Sequence, residues 1–166
     1  DDAFNYSLLN NRGAELSRGS FVALVNDDVE VIHADWLSEM VSRAMQPKLA
    51  IVGARLWYPN GTIQHGGVIL GAGGIAGHAH VGLRLGEPGY FARAHLAQDV
   101  SAVTTACALV KREAYLHVGG LDENLAVTFN DVDFCLRLRE AGYWIVWTPH
   151  AELIHYESVT RGVDDT

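Results

Sequence analysis

The sequence has 166 residues, of which 49% are hydrophobic and 19% charged, and its formal net charge is −8. This length and apolar content suit one globular domain and exclude intrinsic disorder. The spread of acidic residues excludes a nucleic-acid-binding surface, which needs concentrated Lys and Arg. No apolar run approaches the roughly 20 residues that cross a bilayer, so no transmembrane segment is predicted. Cys107 and Cys135 lie far apart, which argues against a disulfide framework and favours a reducing compartment.

The first part of the chain alternates helical and extended patterns. Residues 5–17 predict a helix, and the apolar run at 21–25 predicts a strand buried on both faces. An amphipathic helix is predicted over residues 35–46, followed by a second buried strand over 49–56. Asn60-Gly61 between β-forming residues then predicts a hairpin turn.

The middle of the chain is dominated by glycine. Residues 66–89 predict a loop that holds at most one short strand. Two strands are predicted at 100–103 and 106–110, and a short helix at 112–118.

The last elements complete an α/β pattern. Residues 131–141 predict a helix with Asn130 as its N-cap, and 143–147 and 151–155 predict two short strands. Alternating strands and helices predict a mostly parallel sheet with helices on both faces. Since ligands of such sheets bind beyond the carboxyl ends of the strands, the residues that follow each strand are the candidates for a site.

The first candidate is the acidic cluster Asn26-Asp27-Asp28, directly after the first predicted strand. Mg²⁺ and Mn²⁺ prefer oxygen ligands, and Mg²⁺ commonly binds one or two carboxylates together with substrate phosphates. The alternative is that Asp27 and Asp28 are turn residues that favour the start of the following helix. The cluster alone leaves both interpretations open.

The second candidate is the start of the helix near Asn130. Asp131 would lie in the first turn, where the helix dipole favours an ionised carboxylate that could act as a general base. Simple capping explains Asp131 equally well from the residues alone. Asp133 would point to another face, and its spacing from Arg137 favours an i,i+4 ion pair.

Seven strings together resemble the family-2 glycosyltransferases, especially the branch that builds bacterial surface polysaccharides and includes rhamnosyltransferases. The resemblance covers about residues 4–162. The strings are Leu24 to Val31, Asp35-Trp36-Leu37, Gly61 to Gly67, Val103 to Cys107, Gly119 to Glu123, Asn130 to Leu138 and His155-Tyr156-Glu157-Ser158.

The resemblance implies a GT-A fold, a nucleotide-diphosphate-sugar donor, a divalent metal (Mn²⁺ or Mg²⁺) and inversion at the anomeric carbon. The family's DXD-type motif falls on Asn26 to Asp28, with Asn in place of the first Asp, which makes Asp28 the expected metal ligand and Asp27 a second, substrate-side carboxylate. Asp131 is then the expected catalytic base. His155 matches a histidine that completes the metal shell in related enzymes.

The resemblance adds further substrate-side residues. Thr105, Ala106 and Cys107 are expected to line the acceptor or sugar pocket, although an ordinary core cysteine is the favoured alternative for Cys107. Arg161 in the polar tail could close over the diphosphate, although terminal arginines usually have no specific role. Asp133 completes this substrate-binding set.

The histidines of the glycine-rich stretch, His65, His78 and His80, are interpreted as loop or acceptor-side residues.

Family members begin with a nucleotide-binding βαβ portion that has no counterpart in this sequence. We therefore expect residues 1–166 to be a partial GT-A catalytic domain with a polar tail from about residue 157. Its open sheet edge could pair with a second copy as a homodimer. The expected acceptor is a saccharide or lipid-linked saccharide, and the expected location is cytoplasmic, extending to the inner face of the membrane for the full-length protein.

Two other classes compete with a metal-dependent glycosyltransferase. The substitutions Asn26 and Asn130 favour a non-catalytic carbohydrate-binding or assembly module of the same fold, whereas Asp28, Asp131 and His155 oppose it. A metal-dependent phosphohydrolase also uses carboxylates at strand ends, but it needs more convergent ligands than the sequence offers.

Overall fold

The structure is a computed structural model that describes residues 4–72 and 74–157. The helices are Tyr6–Leu16 (α1), Trp36–Ala44 (α2), Arg112–His117 (α3) and Asn130–Glu140 (α4), with a 3₁₀ segment at Tyr90–His95. The strands are Phe21–Val25 (β1), Val29–Val31 (β2), Leu49–Trp57 (β3), Ile63–His65 (β4), Val68–Leu70 (β5), Ala76–His78 (β6), Gln98–Asp99 (β7), Cys107–Lys111 (β8) and Trp144–His155 (β9). Over these same ranges, none of the helices combines the length and apolar character that crossing a bilayer requires.

Seven strands form one mixed sheet in the order β1-β8-β3-β9-β2, with β4 beside β3 and β7 beside β9. Only β3 and β9 pair in parallel, and the other pairings among the described strands of this sheet are antiparallel. The prediction of a mostly parallel sheet was therefore wrong. Because β8 runs in reverse between β1 and β3, strands β1, β3 and β9 still share one direction. Their carboxyl ends meet at the same edge.

Helices cover both faces of the sheet, as predicted. On one face α1, α3 and α4 pack in a core that includes Phe134 and Trp147. On the other face α2 packs through Met40 in a second core. Strand β3 serves both cores and all nine of its residues are buried, which explains a sequence that is apolar except for Arg55.

Strand β1 is buried on one face only, so the prediction of two buried faces was wrong. Val22 and Leu24 face the core of α1, α3 and α4, whereas Ala23 and Val25 are exposed. The reason is the position of β1 at the end of the sheet, because α2 packs over β3, β8 and β9 instead.

Side-chain and turn chemistry fix two local structures: a cap of α1 that the sequence analysis did not assign, and the predicted Asn60-Gly61 turn. The Asn5 side chain accepts a hydrogen bond from the Leu8 N–H at 2.9 Å and caps α1. The β3–β4 hairpin turns through Asn60-Gly61, where Gly61 has φ +79° and the Tyr58 N–H donates to the Thr62 carbonyl.

Other boundaries differ from the predictions. Residues 100–103 form no strand beyond an isolated bridge of Ala102 with Val68. The glycine-rich stretch holds two strands, β5 and β6, paired as a hairpin. The two strands predicted within 143–155 are one strand, β9, which continues through a register shift.

The N-cap of α4 is Phe129, in the left-handed region at φ +61°, with no side-chain capping bond. Asn130 is instead the first helical residue and is 3% exposed. Its amide donates to the carbonyls of Leu125 and Val127, at 3.4 and 3.1 Å. Asn130 therefore holds the preceding loop against the helix, a role that its predicted position as N-cap did not show.

Candidate active site

The polar candidates converge at the edge where β1 and β9 end. The turn that follows β1 carries Asp27 and Asp28, and the Asn26 N–H donates to the Ala106 carbonyl at 2.9 Å. His155 is the last residue of β9. Residues 104–106 reach the same edge because they precede β8, which runs antiparallel to β1.

Asp28 and His155 are in direct contact. The pairing of β2 with β9 sets Val29 opposite His155, and the Tyr156 N–H donates to the Asp28 carbonyl at 2.9 Å. This backbone register brings Asp28 Oδ1 to 3.1 Å from His155 Nε2. Two residues 127 positions apart in the sequence are thus held together by main-chain pairing.

Gln64 fixes the orientation of the His155 ring. The Gln64 Nε2 donates to a carboxylate oxygen of Glu157 at 3.0 Å, so its Oε1 must be the atom facing His155 Nδ1 at 2.7 Å. Nδ1 therefore carries the proton and donates it to Gln64. In neutral His155 this leaves a lone pair on Nε2, directed at Asp28, an arrangement typical of metal-binding histidines.

The contact between Asp28 and His155 fits a shared cation. Asp28 Oδ1 is buried and lies 3.1 Å from His155 Nε2. The contact does not have hydrogen-bond geometry, so this carboxylate oxygen has no hydrogen-bond partner among the described residues. Two lone pairs at this distance repel unless a cation lies between them. Neighbouring ligands of a metal bound at about 2.1 Å are separated by about 3 Å, close to the observed distance. No group of three or more metal-ligating side chains is found in residues 4–72 and 74–157, and Mg²⁺ commonly completes its coordination with water and substrate phosphates.

Asp131 lies in the first turn of α4 and faces the same region from the other side. Its Oδ1 accepts the Val132 N–H at 2.8 Å. Burial raises the pKa of Asp131 above its ordinary value, and hydrogen bonds from the Val132 N–H and the Thr104 hydroxyl oppose this shift. A carboxyl group whose pKa is raised is a stronger base once ionised, which suits proton abstraction from a hydroxyl.

Two histidines connect the Asp131 region with the Asp28–His155 pair. His65 Nδ1 lies 2.7 Å from His78 Nδ1. Partial burial lowers the pKa of His78, and the charges of Asp131 and Glu157 oppose this shift. His155 acts on the pKa of both His65 and His78, so these three histidines form one electrostatic cluster with Asp131 and Glu157.

A cavity of about 200 Å³ opens beside this cluster. It is bordered by β5 and β6 on one side and by the start of α4 on the other. Its lining includes His78, Asp131, Val68, Phe129 and Val132. The volume is below the 300–1,000 Å³ of sites that hold drug-sized ligands, and it suits a group of monosaccharide size.

The remaining predicted substrate-side residues fall into two groups. Thr105 and Ala106 lie at the site edge but are buried, and the Thr105 carbonyl accepts the Tyr6 hydroxyl at 3.0 Å. Asp27 shares the turn of Asp28 and is exposed. Arg161 lies outside the described residues.

Two predicted substrate contacts are corrected by the structure. Cys107 is fully buried in the core beneath α2, where desolvation raises the pKa of its thiol to about 12. Asp133 forms an ion pair with Arg137 at 2.6 Å, the i,i+4 alternative that the sequence favoured. Asp133 and Arg137 line a separate depression, together with Asn11 and Asp122, and Asp133 does not border the cavity of Asp131.

Gln64 and Thr104 were missed as site residues by sequence reasoning, and His78 was predicted only as a loop or acceptor-side residue. Gln64 and His65 are 4% and 1% exposed, so two polar side chains are buried in a three-residue strand. A polar pair inside a hairpin of β-forming residues was the available signal, since buried polar groups need partners.

The sheet, its helices and the acidic turn after β1 define the GT-A fold of glycosyltransferases. A crystal structure of GalNAc-T7 with UDP, GalNAc and Mn²⁺ superposes on this chain with a TM-score of 0.72. The two sequences are 12% identical, and the match covers 94% of this chain and 31% of the other. At this identity the similarity establishes the fold alone.

Residues 6–163 match the family described as Glycosyltransferase like family 2, and the chain belongs to that family of transferases. An uncharacterized protein of Sinorhizobium fredii is 59% identical over 98% of this chain, which corresponds to 18% of that protein. The O-antigen biosynthesis protein RfbC of Myxococcus xanthus is 38% identical over 99% of this chain and 13% of its own length. The chain thus spans less than a fifth of each of these relatives.

Proposed function

We propose that the chain is part of a metal-dependent, inverting glycosyltransferase that acts in the synthesis of a cell-surface polysaccharide. The observation that carries this proposal is the convergence of Asp28, His155 and Asp131 on one polar cluster within a GT-A fold. Support for the surface-polysaccharide role comes from similarity to the O-antigen biosynthesis protein. The donor is proposed to be a nucleotide-diphosphate sugar and the acceptor a saccharide hydroxyl.

In this proposal Asp28 Oδ1 and His155 Nε2 hold a divalent cation, Mn²⁺ or Mg²⁺. The bound cation would neutralise the charge that develops on the nucleoside-diphosphate leaving group. Gln64 keeps Nδ1 of His155 protonated, so Nε2 stays available as a ligand. Mn²⁺ in the GalNAc-T7 complex supports a divalent metal for this fold.

Asp131 is the proposed general base. Its carboxylate borders the cavity that would receive the acceptor, and it accepts the proton of the attacking hydroxyl as the bond to the anomeric carbon forms. The bond from that carbon to the diphosphate oxygen breaks on the opposite face, which inverts the configuration. A positioned general base contributes roughly 10²–10⁴-fold, and positioning of the two substrates contributes much of the remaining acceleration.

The test is consumption of nucleotide sugars by the full-length protein with and without an added saccharide acceptor. UDP-, GDP- and dTDP-linked sugars are supplied with Mn²⁺ or with EDTA, and the product anomer is determined by NMR. We expect acceptor-dependent, metal-dependent transfer with inversion. Consumption without an acceptor would indicate a hydrolase, and no consumption of any donor would indicate the non-catalytic binding module.

Variants of the acidic turn separate its two carboxylates. Asp28→Asn removes the carboxylate that contacts His155 and should abolish the response to Mn²⁺. Asp27→Asn changes an exposed neighbour in the same turn and should have the smaller effect. Equal losses from both variants would contradict the assignment of Asp28 as the main ligand.

A further inference from the structure

We propose that His78 contacts the acceptor, donating a hydrogen bond from its Nε2–H to a sugar hydroxyl oxygen, and that His65 imposes the tautomer that makes this possible. The proposal rests on the proposed function, because it assigns a substrate contact within the same site. It also defines the acceptor as a saccharide with two neighbouring hydroxyl groups, one for Asp131 and one for His78.

His65 carries its proton on Nδ1. The Thr104 N–H is directed at His65 Nε2 at 3.4 Å, so Nε2 must be the unprotonated nitrogen and Nδ1 must carry the proton. His65 is 1% exposed and has no access to bulk water that would stabilise a second proton. Burial, followed by the neighbouring His78, holds the pKa of His65 well below its usual range. His65 is therefore a neutral imidazole whose proton lies on Nδ1.

The tautomer of His65 determines the tautomer of His78. The two Nδ1 atoms are 2.7 Å apart, and only one of them can carry the shared proton. Since His65 Nδ1 is the donor, His78 Nδ1 accepts, and the proton of neutral His78 resides on Nε2. The backbone of Thr104 thus determines, through two rings, that His78 presents a donor on its outer side.

The donor side chain of His78 lies at the cavity that Asp131 borders. His78 is solvent-accessible and borders the cavity of about 200 Å³ together with Asp131. Asp131 is an acceptor when ionised, and His78 is a donor with its tautomer fixed. A donor and an acceptor side by side match neighbouring hydroxyls of a sugar, one of which gives a proton while the other receives one. Val68, Val132 and Phe129 supply apolar walls for the carbon face of a sugar ring.

Two glycines hold the β5–β6 hairpin in this position. A Cβ on Gly66 would lie 2.8 Å from the Ala79 carbonyl oxygen, and Gly67 has φ +94°. The Ala79 N–H donates to the Gly67 carbonyl at 2.8 Å. The close approach of these two backbone segments brings His78 against His65. The backbone of the hairpin therefore determines the contact between the two rings.

A direct test is the tautomer of each histidine in the full chain, read from ¹⁵N–¹H correlation NMR at neutral pH. We expect Nδ1–H for His65 and Nε2–H for His78. Methyl α-D-mannopyranoside, methyl α-L-rhamnopyranoside and methyl β-D-galactopyranoside are then titrated in the presence of Mg²⁺ and UDP. We expect the Nε2 signal of His78 to shift with at least one glycoside. Nδ1–H on His78, or an Nε2 signal that no glycoside moves, would overturn the proposal.

Two variants distinguish a substrate contact from a structural role. In His78→Gln the side-chain amide reaches about as far as Nε2 and keeps a donor in the cavity. In His78→Asn the amide reaches only as far as Nδ1 and keeps the bond to His65. We expect His78→Gln to bind the responding glycoside as the wild type does. His78→Asn should bind it about three- to tenfold more weakly, the range of one hydrogen bond. The opposite order would show that His78 serves only to cover His65.

Failure of this inference can be told apart from failure of the proposed function. If the wild type transfers sugar and both His78 variants transfer equally well, the acceptor contact is wrong while the enzyme assignment stands. If no nucleotide sugar is consumed but His78 responds to glycosides with the expected variant order, the contact stands for a binding module. Melting temperatures of the variants confirm that each comparison is made on folded protein.

Discussion

Replacing Asp131 with Asn separates the chemistry proposed for this carboxylate from its effect on the fold. The substitution keeps the shape of the side chain and an oxygen that can accept the Val132 N–H. It removes the ability to take a proton. Loss of a general base should lower the rate of transfer by about 10²–10⁴-fold, which corresponds to about 2.7–5.4 kcal/mol of activation free energy.

The same substitution should stabilise the protein. Burial raises the pKa of Asp131, so the ionised carboxylate lowers the free energy of unfolding by about 1.4 kcal/mol for each unit of the shift. This penalty is fully present above the raised pKa and disappears as the pH falls below the unfolded value near 3.8. Single stabilising substitutions commonly contribute about 0.5–2 kcal/mol, and each kcal/mol raises Tm by about 2–4 °C in a domain of this size.

Asp133→Asn is the matched control, since it removes the same charge from the same helical turn. Asp133 is paired with Arg137 in a partly exposed bridge, so its loss should destabilise the fold by at most about 1 kcal/mol and should leave transfer within about threefold. The assays are transfer of a labelled sugar and thermal unfolding at pH 7 and pH 4. Retained transfer in Asp131→Asn would refute the base assignment. A melting temperature below that of the wild type at pH 7 would refute the assigned burial.

Two further predictions concern the histidine cluster, and one concerns the buried Cys107. Gln64→Leu removes the acceptor that orients His155, so Mn²⁺ affinity, measured by calorimetry, should fall about 10–100-fold, and an unchanged affinity would contradict this role. Because the pKa of His65 is lowered in the folded state, stability should decrease as the pH falls below about 6.5, by up to about 1.4 kcal/mol per unit. Urea unfolding at pH 7.5 and 5.5 should show this loss in the wild type, and His65→Asn should reduce it. Cys107→Ala should lower the free energy of unfolding by about 1 kcal/mol without changing the KM for the donor. A raised KM would indicate that Cys107 contacts the substrate after all.

Periodicity and turn residues predicted the elements whose environment is simple. Strand β3 is buried on both faces and is apolar except for Arg55, and the Asn60-Gly61 pair is a strong signal for a hairpin turn. Strand direction was not predictable in this way. The alternation rule assumed parallel neighbours, but β8 is inserted antiparallel between β1 and β3, and nothing in its five residues records its direction.

The sequence predicted candidate site residues at element boundaries, but in the glycine-rich segment it named His78 only as a loop or acceptor-side residue, without its contact with His65. Asp28 and Asp131 stand at element boundaries, which are visible in the sequence. His78 lies on a short strand whose place against His65 depends on contacts such as that between Gly66 and Ala79. Those contacts join residues of different elements, so a sequence period of 2 or 3.6 residues does not predict them.

Strand β9 lies in the interior of the sheet, although it follows all its partners β2, β3 and β7 in the chain. During synthesis the ribosome therefore delivers the interior strand after its neighbours, and until then β3 has one side of its backbone unpaired. Such an interval exposes an unpaired, largely apolar strand edge, which favours aggregation with other chains. Pairing of β9 completes the sheet and brings His155 to Asp28 in the same event, so a chain stalled before this strand has an incomplete sheet and only one of the two proposed metal ligands.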